Sequence, residues 1–118
     1  MQIKLECKMD TQSERPQPVA VIHFFEAKPY QADLIHEALR IIPEEEAAVT
    51  RWDYHGPNGN GDGNDNLEVT LRTRKAVKSL GESIADAELV GDTERVRREF
   101  TQLAKRLPKD RKDKAAQK

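Results

Sequence analysis

Residues 19–25 read Val19-Ala20-Val21-Ile22-His23-Phe24-Phe25. In an extended chain successive side chains point to opposite faces, so Val19, Val21, His23 and Phe25 share one face and Ala20, Ile22 and Phe24 the other. Both faces are apolar apart from the histidine. A strand of this kind expects cover on both sides and belongs in the interior of a sheet. If helices lie over Ile22 and Phe24, the opposite face must meet something else, because contiguous apolar patches are uncommon on monomers. The expectation is a homodimer, with Val21, His23 and Phe25 as its self-association residues.

On the N-terminal side, Ile3, Leu5, Cys7 and Met9 alternate with Gln2, Lys4, Glu6, Lys8 and Asp10, the pattern of a strand with one wet face. Outward lysines suit an edge, where they discourage further pairing. The segment TQSERPQP, with two prolines, is a loop. On the C-terminal side, Pro29 opens and Pro43 stops a helix from about Tyr30 to Ile42, whose Leu34, Ile35, Ala38, Leu39 and Ile42 form an apolar stripe. Glu44, Glu45 and Glu46 then read as a solvated loop.

A hairpin follows. Ala48, Thr50, Trp52 and Tyr54 share a parity, and Leu67, Val69 and Leu71 alternate with Glu68, Thr70 and Arg72. Arg74 to about Leu89 suits a helix with Val77, Leu80 and Ile84 inward, although Gly81 weakens it. Asp92 or Thr93 can cap a last helix to Leu107, lined by Val96, Phe100, Leu103, Ala104 and Leu107. Pro108 ends it. The expected fold is α+β, with about four antiparallel strands in the order β-β-α-β-β-α-α and helices mainly on one face. Residues 1–107 form a single domain and residues 108–118 a disordered basic tail.

Composition bounds the rest. Apolar residues make up 36% and charged residues 35% of the 118, so the core is modest. The one cysteine, Cys7, cannot form an internal disulfide, which fits a reducing compartment. No basic segment followed by an apolar one opens the chain, and no apolar run approaches the roughly eighteen residues of a membrane span. The expectation is a cytoplasmic protein that does not enter a membrane. Its net charge of -1 conceals an asymmetry: residues 95–118 hold ten basic side chains against Glu99, Asp110 and Asp113 (+7), and residues 1–94 hold ten against eighteen acidic ones (-8).

The stretch from His55 to Val69, HGPNGNGDGNDNLEV, holds four of the six glycines. Aligned on a calcium-binding EF-hand loop, Asn58, Asn60, Asp62 and Gly63 fall at the first, third, fifth and sixth positions, but the twelfth, which needs a bidentate glutamate, is Val69. NGDGNDNLE departs from the calcium-binding nonapeptide of β-helices only at Asn60, yet it occurs once, and those sites form between stacked copies. Neither dinucleotide nor mononucleotide phosphate loops are present. Gly56-Pro57-Asn58-Gly59 matches the loop of KH domains, but here it joins two strands. The stretch is a flexible corner, rich in residues that tolerate positive φ.

No catalytic set emerges. His23, His36 and His55 stand at no metal-ligand spacing, and His36-Glu37 begins a zinc-protease motif whose second histidine is replaced by Arg40. No nucleophile elbow occurs. Neither metal nor cofactor is expected, and the chain reads as a non-enzyme. A metal-dependent enzyme using the glycine loop and Glu44 to Glu46 is a third, weaker reading. Trp52 and Tyr54, near Arg51, Arg72 and Arg74, suit either nucleobase stacking or packing beneath the helices. The leading functional expectation is an accessory protein that self-associates through that sheet face or through the C-terminal helices and binds an acidic partner through Arg95, Arg98, Lys105, Arg106, Lys109, Arg111 and Lys112. Nucleic-acid binding through the same residues is the alternative.

Overall fold

The computed structural model describes residues 1–10, 16–53 and 65–109. The elements are β1 (Gln2–Asp10), β2 (Gln17–Ala27), α1 (Pro29–Arg40), β3 (Ala47–Asp53), β4 (Asp65–Leu71), α2 (Arg74–Asp86) and α3 (Thr93–Lys105). This is the expected α+β order. The four strands form one antiparallel sheet in the order β1-β2-β4-β3. The doubly apolar strand β2 is interior, and the alternating strand β1 is an edge. Because β4 inserts between β2 and β3, those two run parallel, and α1 supplies the long crossover that parallel strands require.

The three helices cover one face. Ala20, Ile22 and Phe24 of β2 and Leu67, Val69 and Leu71 of β4 point into a core completed by Ile35, Val77, Leu80, Ile84, Phe100 and Leu107. In the register, Ile3, Leu5 and Cys7 of β1 stand beside Phe24, Ile22 and Ala20, so the apolar half of β1 joins that same face. No described helix is long and apolar enough to cross a membrane.

Local chemistry sets the helix ends. The Thr73 hydroxyl accepts from the Ala76 amide at 3.0 Å, and the Asp92 carboxylate from the Arg95 amide at 3.1 Å, each satisfying a free donor of a first turn. At the far end of α3, Arg74 donates to the carbonyls of Leu107 at 2.8 Å and Lys105 at 3.3 Å, so the start of α2 holds the end of α3. The acidic run after Pro43 behaves as a loop: Glu46 accepts from the Thr73 hydroxyl at 2.8 Å, and Glu44 and Glu45 are exposed.

Two features depart from the pattern reading. A register shift between Val49 and Arg51 inserts one extra residue in β3, so Ala48 pairs with Thr70 whereas Trp52 pairs with Leu67. Ala48 and Trp52 therefore lie on opposite faces, contrary to their shared parity, because a bulge moves every later side chain to the other side. A second shift, between Phe24 and Ala27 of β2, accompanies a positive φ of 57° at Glu26, whose amide donates to Asn66 Oδ1 at 3.0 Å.

Gly81, expected to weaken α2, lies inside an unbroken helix. A Cβ at this position would stand 2.7 Å from both Cβ and Cγ of Phe100, so its missing side chain lets α3 approach. Gly81→Ala is expected to lower stability by up to about 2 kcal/mol: overpacking of about 1–3 kcal/mol is set against a helix-propensity gain of about 1. Urea unfolding of both proteins checks this, and an increase in stability would show that α3 yields freely.

Candidate interaction surfaces

The sheet face turned away from the helices carries the three self-association residues. Val21 stands between Glu6 of β1 and Thr70 of β4, and Val19 stands beside Lys8. Both valines are only 5% exposed although no helix lies over them. Long polar side chains on neighbouring strands can lay their carbon stems over apolar neighbours while their heads stay wet. The cover expected from a second subunit is thus already supplied to Val21 within one chain. Of the three residues, Phe25 keeps the largest exposure, 38%.

His23 occupies the middle of this face. Its Nε2 hydrogen-bonds the Glu6 carboxylate, its Nδ1 lies 3.6 Å from Glu68, and its ring stacks on Phe25 with centroids 5.9 Å apart and planes within 4°. Thr50 donates to Glu68 at 2.7 Å, extending the network to β3. Asp10 pairs with Arg72 across the same face. The surface is polar and internally partnered, with an aromatic ring at one end.

The Glu6 carboxyl is held below its ordinary range, first by the hydrogen bond from His23 and then by Lys8 and Lys4, against the opposing effect of burial. A carboxyl whose folded pKa is depressed contributes stability above its unfolded pKa, and that contribution disappears as pH falls through the folded value. Replacing His23 by Asn is expected to move the Glu6 titration upward, as read by carboxyl carbon NMR. An unchanged titration would show that the lysines, and not the imidazole, hold the proton off.

The C-terminal cations divide into two groups. Arg95 bonds Glu99 at 3.0 Å, and Arg97 spans α2 and α3 through Glu82 at 3.3 Å, Asp86 at 3.0 Å and Glu94 at 3.5 Å. These carboxylates raise both guanidinium pKa values, with the hydrogen bonds that Arg95 donates to Glu99 and Arg97 to Glu82 the largest causes. Arg98, Lys105, Arg106 and Lys109 are exposed, and none forms an ion pair among the described residues. Arg111 and Lys112 lie outside the described residues. The role of Arg97 is not legible in the sequence, because Glu82 and Asp86 sit on another helix and only Glu94, at i−3, is local.

Trp52 is on the helix side of the sheet. Its ring meets His36 of α1 at 4.5 Å, its Nε1 donates to Asp65 at 3.0 Å, and it remains 46% exposed. It borders an open groove of about 660 Å³ between α1 and β3. His36 Nε2 is buried there with no hydrogen-bond partner among the described residues. His23 and His36 lie on opposite faces of the sheet and do not meet. Arg40, which stands where a zinc-protease motif needs its second histidine, pairs with Glu37 at 3.0 Å. Among the described residues no group of three or more His, Cys, Asp or Glu side chains is placed to hold a metal ion. The glycine stretch through Asn64, and Tyr54, lie outside the described residues.

Comparison of the chain with protein-family models, with curated proteins and with solved structures returned no match.

Proposed function

We propose that the protein is a non-enzymatic, self-associating interaction module that engages an acidic partner through the outer side of α3. The observation that carries this reading is the set Arg98, Lys105, Arg106 and Lys109, exposed and without ion pairs among the described residues. Surface cations with intramolecular carboxylates offer a partner little, whereas free ones gain a counter-charge on binding. The helix that presents them is fixed by the Arg74 bonds at its end and by Arg97 along its length. Glu94, one turn before Arg98 on α3, is also exposed, 83% by side chain. A carboxylate beside the cations repels the closely spaced phosphates of a nucleic-acid backbone, which favours an acidic peptide or protein surface.

Fluorescence anisotropy with a labelled polyglutamate peptide and with mixed-sequence single- and double-stranded oligonucleotides tests the reading. The wild type is expected to bind the peptide, more weakly as salt rises. The doubly reversed variant Arg98→Glu, Lys105→Glu is expected to lose about tenfold in affinity, or about 1.4 kcal/mol. Tighter binding to the oligonucleotides, weakened by the same variant, moves the assignment to nucleic acid. Equal binding by wild type and variant removes α3 from it.

A further inference from the structure

Exposed apolar side chains also gather away from the open sheet face, along α1 and the strand beside it. Tyr30, Leu34 and Ile41, at α1 and its C-terminal cap, are 59%, 41% and 73% exposed, and Val49 and Trp52 on the adjoining edge strand β3 are 37% and 46% exposed. On a helix, positions 30, 34, 37 and 41 fall in one row with spacings of four, three and four, the a and d positions of a heptad seam. Glu37 occupies the remaining place in that row. One flank of the row is closed, since Gln31 and Ala38 are buried and Gln31 donates to the Leu89 carbonyl at 3.3 Å. The other flank carries Asp33 and Arg40, which line the groove toward β3.

A row spaced four, three and four is its own reverse. A second α1 laid antiparallel sets Tyr30 against Ile41 of the other copy and Leu34 against the carbon stem of Glu37. The flanking charges choose the same direction. Asp33 forms no ion pair among the described residues, and Arg40 pairs with Glu37 in its own helix. In the antiparallel arrangement Asp33 of each copy comes beside Arg40 of the other, giving two opposite-charge pairs. A parallel arrangement sets the Asp33 and Arg40 flank of one copy against the Gln31 and Ala38 flank of the other and forms neither pair. Flanking charges of this kind fix partner and orientation in helix pairs.

We propose that α1 is the self-association surface, with two copies pairing through antiparallel α1 helices about a two-fold axis that passes between Leu34 and Glu37. The occupant of the seam is thus a second copy of this chain, and the symmetry is the closed, isologous kind. The proposal rests on the self-association half of the reading above and is independent of the cations on α3. A helix of twelve residues is about 18 Å long, so the dimer is expected at micromolar and higher concentrations.

Sedimentation equilibrium of four proteins tests it, with circular dichroism confirming that each is folded. The wild type is expected to dimerise. Leu34→Glu combined with Ile41→Glu, both exposed positions, is expected to be monomeric. Glu37→Leu completes the apolar row and is expected to tighten the dimer about tenfold. Phe25→Ser on the opposite sheet face is expected to leave association unchanged. In a Cys7→Ser background, Tyr30→Cys combined with Ile41→Cys is expected to give a covalent dimer on oxidation while neither single cysteine variant does, because a parallel pair would set each cysteine against its own copy. A wild type that stays monomeric up to about 0.1 mM overturns both this surface and the self-association reading. A dimer lost in Phe25→Ser but kept in the α1 variant overturns the surface alone.

Discussion

Strand β2 must hide apolar side chains on both faces, and the architecture answers that demand in two ways. On one face, Ala20, Ile22 and Phe24 vanish beneath three helices. On the other, where no described helix lies, Val19 and Val21 are still buried, beside polar residues of β1 and β4. The second solution works because β2 lies inside the sheet, with a strand on each side to contribute partly apolar stems. It also explains why the open face is a network of ion pairs and hydrogen bonds around His23 and not a bare hydrophobic surface. Charge heads must stay in water when their stems are drawn over a valine.

Charge in the C-terminal third has two uses. Arg97 and Arg74 tie α2 to α3, one by carboxylates along the helices and the other by carbonyls at the end. Neither is available as a docking charge. The cations left over face outward from a helix held at both ends, which gives a partner an ordered target. Net charge from the sequence could not separate these groups, because the deciding carboxylates, Glu82 and Asp86, are distant in the chain and close in space.

Element order was legible because the signals were local: strict alternation in β1, prolines around α1, and caps at Thr73 and Asp92. The central position of β2 was also legible, since seven consecutive positions needed cover. What covers Val21 was not, because cross-strand neighbours are set by register and register is a property of two segments together. The same holds for Trp52. Counting by twos from Ala48 fails once an extra residue enters at the Val49 to Arg51 shift, and nothing in residues 47–53 marks that bulge. The exposed row on α1 was hidden for a different reason: Leu34 looked like core by spacing, and only packed coordinates show that α1 turns its Ala38 and Ile35 side inward instead.

Gly81 and Phe100 are best regarded as one locus. The distance between the two C-terminal helices is set where a hydrogen atom faces an aromatic ring. Descendants of this sequence can exchange cations along the outside of α3 at little structural cost. A larger residue at 81 fits best alongside a smaller one at 100, so coupled variation at these two sites would mark lineages that keep this helix pairing.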